Sequence, residues 1–208
     1  MKKLLMALML CGATLAQAED EVKATGKSVD VMKLDISGVR LGMSQEEALK
    51  TIKEKLPNAS KREGIESDKD LSKLHGKPFG RIASFNVGEE EIIGIIFEPN
   101  VLENKPQELV VAAVFYVLHE GDINTNKKRM LKDAVEKFGA PVATAPLGKY
   151  EWCDLGGMPL CDEDKPIMTL ENSNKNSVSL SLRNPPLGKA VEKAIEKNAV
   201  NSSKKLKL

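Results

Sequence analysis

Few residues in this chain have chemistry at neutral pH: His75, His119, Cys11, Cys153 and Cys161, with a basic run Lys127-Lys128-Arg129 and an acidic run Asp162-Glu163-Asp164. Nucleophilic catalysis needs a hydroxyl or thiol, a base within reach and a group that orients the base. Neither histidine has a serine elbow or a cysteine motif beside it. Gly156-Gly157 opens no helix, as a phosphate-binding loop would. A catalyst would have to be a small hydrolase whose site is assembled between two halves of the chain, and no catalytic residue or cofactor is assigned. The acidic run, with Asp154 nearby, presents several hard oxygens that suit calcium, but its spacing matches no dedicated calcium loop and a solvated cluster is the favoured reading. The basic run falls in the first turn of a helix expected to start near Thr125, where cations oppose the helix dipole. Together with exposed backbone donors they form a possible anion-binding site, for a lipid phosphate or an acidic partner; the competing reading is solubility. Tyr150 and Trp152 flank the cysteine loop, and Trp152 either packs in the core or anchors an interface.

The cysteines are interpretable once the compartment is known. Lys2 and Lys3, the apolar run 4–15 and Ala16-Gln17-Ala18 make a three-part secretory signal over residues 1–18, cleaved after Ala18. The apolar run is shorter than the roughly 20 residues a membrane span requires. Lipidation at Cys11 is disfavoured because Leu10, rather than a small residue, precedes it. Cleavage leaves 190 of 208 residues, lowers the basic count from 31 to 29 against 30 acids, and removes Cys11. Two cysteines in an oxidising periplasm are expected to form one structural disulfide, Cys153–Cys161, across seven residues that include Gly156, Gly157 and Pro159. A redox pair would have two intervening residues, and a zinc site would lack ligands, since both histidines are distant. Near-neutral charge argues against nucleic acid as a partner. The 41% apolar and 29% charged composition is that of a folded chain.

Positioning these groups requires a scaffold. Residues 19–33 are polar and are expected to be a flexible leader. Ser44 with Glu47 reads as a capping box opening a helix, with Ala48, Leu49, Ile52 and Leu56 on one face and Pro57 ending it. Residues 58–80 are charged and read as a long mobile connection. Strands are expected at 81–87, 91–97 and 108–118. The last is apolar on both faces and hence central, with Val110, Ala112, Val114 and Tyr116 on one side. A second helix carries Met130, Leu131, Ala134, Val135 and Phe138 inward and stops at Gly139-Ala140-Pro141. Further strands are expected at 149–153, 166–171 and 177–183, the last with Ser177, Ser179 and Ser181 outward. A basic helix and tail fill 187–208; membrane-surface contact through its small apolar face is the weaker alternative to packing. The halves share an order of elements, with Leu49-Lys50 matching Leu131-Lys132 at an offset of 82 residues.

The helix entry Leu41-Gly42-Met43-Ser44, followed by Glu46 and Glu47, resembles that of small bacterial envelope proteins of the SmpA/OmlA type, which include a lipoprotein of the outer-membrane assembly machinery. Lys137-Phe138-Gly139-Ala140-Pro141 followed by Tyr150-Glu151-Trp152 is the companion pattern in the second half. The second helix entry lacks the Leu-Gly-Met core. The resemblance implies helices packed on a small antiparallel sheet, and the doubled arrangement is similar to that of the β-lactamase inhibitor proteins; it implies no activity. The expectation is an α+β protein of short helices on antiparallel sheet, with tandem units at 34–120 and 121–186. Its expected role is a periplasmic, non-catalytic interaction module for an unidentified envelope or exported protein. A small hydrolase and an anion- or lipid-binding envelope protein are the alternatives.

Overall fold

The computed structural model describes residues 22–119, 121–145, 148–158 and 160–205. The signal-peptide reading of residues 1–18, and with it Cys11, lies outside the described residues. The protein is α+β, as expected. Helix α1 (Gln45–Lys55) is capped by Ser44, whose hydroxyl accepts the Glu47 amide at 3.2 Å, and it buries Ala48 and Ile52. The region expected to be a mobile connection is structured: strands β1 (Ser60–Lys61) and β2 (Ile65–Glu66) lead into helix α2 (Lys69–His75). Asp68 caps α2 through the Asp70 and Leu71 amides, and left-handed Gly76 closes it.

Strands β3 (Gly80–Asn86), β4 (Glu91–Asn100) and β5 (Lys105–His119) follow as an antiparallel meander. Helix α3 (Ile123–Phe138) begins two residues before the expected start, because Asp122 takes the cap. Strands β6 (Ala143–Ala145), β7 (Lys149–Cys153), β8 (Ile167–Asn174) and β9 (Ser177–Arg183) complete the sheet, and helix α4 (Pro185–Lys205) ends the described chain. Proline suits the first turn of α4, where its missing N–H would have no partner. No helix is long and apolar enough to cross a membrane among the described residues.

The strands form one antiparallel sheet in the order β1-β3-β4-β5-β9-β8-β7-β6, with β2 also pairing with β3. The two halves are thus not separate bodies. The last strand of each meets at the centre, in register from Ala113 opposite Arg183 to His119 opposite Ser177. Helices α1 and α3 pack on one side, over a core containing Ile93, Ile95, Phe97, Val114, Trp152, Leu170 and Leu182. A β-bulge opposite Ile96 and Phe97 corrects the expected faces of β5. Val110 and Ala112 join the cluster under α2 and α4, while Val111, Val114 and Leu118 face the main core.

Residues 22–33 do not behave as a free leader. The Thr25 and Gly26 amides donate to the carbonyls of Pro141 and Val142, and the Val29 amide to that of Cys153. Asp30 caps a short 3-10 turn, Val31–Lys33, and Val31 is buried in the core.

Candidate functional site

The side of the sheet opposite α1 and α3 is covered only in part. Because Ile93, Ile95 and Phe97 enter the core, the alternate residues Ile92, Gly94 and Ile96 face the other way. Cross-strand register then carries one row over both halves, from Ser84 through Gly94, Phe115, Ser181 and Thr169 to Glu151. A second row contains Asn86, Ile92, Val117, Ser179 and Glu171. The first half supplies an apolar patch and the second supplies hydroxyls, so the surface changes character across the β5–β9 seam.

Gly94 leaves room for a neighbouring ring and is not needed for its backbone angle. A Cβ there would lie within 2.0–2.7 Å of three atoms of the Phe115 ring, which therefore lies across the glycine. Across the seam, Thr169 Oγ1 and Ser181 Oγ are hydrogen-bonded at 2.8 Å. Thr169 is fully buried, and Ser177 and Ser179, expected to face outward, are 2% and 8% exposed, so neighbouring atoms cover this strip; Phe115, Val117 and Ser181 are half-buried and form the accessible part of the face.

Two walls bound it. At one end α2 and α4 close over β4 and β5, with Leu71, Phe79, Leu187 and Val191 buried together. The disulfide Cys153–Cys161 forms, as expected, and fastens the loop that makes the other wall. Lys189 on α4 pairs with Asp164 on that loop at 2.5 Å, tying the walls together. Lys149 contacts Glu151 at 2.7 Å and Glu163 at 3.4 Å. Burial disfavours the Lys149 ammonium, but bonding to Glu151 and then to Glu163 outweighs it and holds the pKa above the ordinary lysine value.

The acidic run is thus divided between two lysines, and Asp162 accepts the Asp164 amide at 2.9 Å. Among the described residues no three potential metal ligands converge. Asp154 instead accepts from Gly156 at 3.1 Å, within its own turn.

Trp152 is no interface anchor. It is fully buried, and its indole N–H donates to the Gly139 carbonyl at 2.9 Å, joining β7 to the end of α3. Tyr150 is half-buried against the same core, with the Lys127 ammonium 5.8 Å from its ring centre. The basic run also differs from expectation. With α3 starting at Ile123, Lys127, Lys128 and Arg129 lie beyond its first turn, and the Asp122 carboxylate already accepts the Thr125 amide at 3.0 Å. Arg129 points to Glu91, 3.7 Å away, and Lys127 to Tyr150, so these two cations do not converge on one anion.

The histidines lie in separate hollows. His75 lines one of about 500 Å³ with Ser44 and Glu108. Its Nδ1 donates to the Pro106 carbonyl at 3.0 Å and its ring meets Phe79 edge-on, while Ser44 Oγ is engaged as the α1 cap. Those are the bonds of a packed histidine and a helix cap, not of a base activating a nucleophile. His119 lines a hollow of about 380 Å³ with Arg62, Glu89, Glu90 and Ile92, at the β3–β4 turn end of the recessed face. No hydroxyl or thiol is among its lining residues.

The serine alternation and the central β5 were visible signs of this surface. The Gly94–Phe115 contact was not, because it depends on register across two strands that are 21 residues apart at that pair. No protein-family model matches the chain, and neither a curated protein nor a solved structure does.

Proposed function

We propose that this chain is an exported, non-catalytic binding module of the bacterial cell envelope that takes a protein partner on the recessed sheet face. The observation that carries the reading is a walled surface spanning both halves, with Phe115, Ile92 and Val117 beside a hydroxyl-lined strip. A partially covered antiparallel sheet with a mixed apolar and polar face suits protein recognition, in which an aromatic centre supplies affinity and hydroxyls at its margin supply direction. The helix entry at Leu41-Gly42-Met43-Ser44 and the helix-on-sheet layout support kinship with the SmpA/OmlA type, doubled as in the β-lactamase inhibitor proteins. The signal at residues 1–18 supports a periplasmic address.

Site-specific photocrosslinking in the periplasm tests the reading. A photoreactive side chain at Ser181 or Val117 is expected to yield a discrete adduct. The same group at Lys132, exposed on α3 on the opposite side, is expected to yield none. Gly94→Ala should abolish the adduct by displacing the Phe115 ring. Equal labelling from both sides of the sheet, or none from either, would overturn the proposal.

A further inference from the structure

On the helix side of the sheet, between α1 and α3, lies a hollow of about 290 Å³ that the recessed face does not share. Its floor is the cross-strand pair Tyr116 and Leu180, where the two halves meet. Met130, Ala134 and Phe138 of α3 form one wall and Leu56, at the end of α1, another. A volume near the lower end of small-ligand sites, with an apolar floor and a few polar groups at the mouth, matches the general form of such sites.

The polar groups at the mouth determine the ligand chemistry. The Tyr116 hydroxyl bonds Glu91, and burial followed by that bond pushes its pKa well above the ordinary tyrosine value, so it stays neutral. Lys137 is committed to Asp35, at 2.6 Å from Oδ1 and 3.2 Å from the backbone carbonyl. Arg129 is committed to Glu91. Asp133 also lines the hollow, and among the described residues no cation is paired with it. The two cations one turn away on α3 both reach elsewhere, so the mouth retains one uncompensated carboxylate beside two aromatic rings. An entering molecule therefore meets hydrocarbon below and an acceptor with negative charge above.

We infer that this hollow is a binding site for a small aliphatic ammonium compound, whose alkyl body lies over Tyr116 and Leu180 and whose charged head meets Asp133. An alkyl carboxylate would meet the same carboxylate as a like charge, and a neutral alcohol would forgo the ionic contact. The site lies on the opposite side of the sheet from the proposed protein surface, so either can fail without the other.

Titration of the ¹⁵N-labelled full chain with n-hexylammonium, 1-hexanol and hexanoate tests the assignment. Hexylammonium is expected to saturate, with amide shifts concentrated around Tyr116, Ala134, Phe138 and Leu180. Hexanol should bind about tenfold more weakly, and hexanoate should produce no saturable shift. Asp133 is exposed, so Asp133→Asn should fold normally. It should weaken hexylammonium by roughly three- to fivefold and leave hexanol unchanged. Shifts elsewhere, equal affinity for the three probes, or no saturation by hexylammonium would overturn the site. So would an Asp133→Asn variant that binds hexylammonium as the parent does.

Discussion

At the residue scale the informative group is Glu98, whose side chain is 6% exposed. Arg81 gives two hydrogen bonds to one oxygen, Oε1, through Nε at 3.0 Å and Nη2 at 2.6 Å; Oε2 is buried and has no partner among the described residues. Burial raises the Glu98 pKa first, Arg81 lowers it, and the nearby charges of Asp68 and Glu192 raise it further, leaving it above the ordinary glutamate value. A folded-state pKa above the unfolded one means that the folded protein holds the proton more tightly. The stabilisation from this group is present below about pH 4.5 and is lost as pH rises through the folded pKa. Glu98→Gln keeps an acceptor for Arg81 and removes the buried charge. Urea melts across pH 4 to 8 should therefore show a smaller fall in stability with pH for the variant than for the parent; parallel curves would refute this account. Trp152 is the structural counterpart. Trp152→Phe leaves the Gly139 carbonyl without its indole donor inside a closed core and should cost about 2–3 kcal/mol in a urea titration. It should leave photocrosslinking from Ser181 intact.

At the element scale, the N-terminal segment makes a quantitative distinction. If residues 22–33 were a free leader, Val31→Ala would change stability by less than about 0.5 kcal/mol. Because Val31 is 3% exposed, the loss is expected to be about 1.5–2 kcal/mol, measured as a shift in urea midpoint with an unchanged slope. The segment was illegible in the sequence because Val22, Val29 and Val31 sit among lysines without helical or strand period. The backbone partners of Thr25, Gly26 and Val29, which are Pro141, Val142 and Cys153, lie more than a hundred residues away. Helix α2 is hard to read in the sequence for a related reason. Seven residues with Leu71 and Leu74 as the apolar pair are too short for a periodicity argument, although Asp68 and Gly76 mark both ends. Helix α1 was legible because its cap and apolar stripe agree, and β9 because its serines alternate without interruption. The faces of β5 could not be read correctly, since a bulge reverses the alternation and is set by the partner strand. Of the candidate surface, then, the sequence exposed the serine strip, while the aromatic centre depended on tertiary register.

At the scale of the whole molecule, the chain ends are exchanged between the halves. Residues 25–29 bond to the second half through Pro141, Val142 and Cys153. Helix α4, which follows the second half, buries Leu187 and Val191 among Leu71, Phe79, Val110 and Ala112 of the first. Between them the β5–β9 ladder makes the sheet continuous. Neither half can open without exposing apolar surface that belongs to the other, so unfolding should be a single cooperative transition despite the repeated order of elements. Trp152, the only tryptophan, is on β7 of the second half and reports on the core around it, whereas far-ultraviolet circular dichroism reports on the helices and strands of both halves. Ile93 is fully buried in the first half, and Ile93→Val removes one methylene there, at a cost of about 0.5–1.5 kcal/mol. If the halves unfold together, this substitution shifts the tryptophan midpoint by the same denaturant increment as the dichroism midpoint, although no atom of Trp152 has been altered. If they unfold separately, the tryptophan curve stays in place and the dichroism curve broadens into two steps. The coupled outcome is the one expected, because a recessed face shared by both halves keeps its shape only while both remain folded.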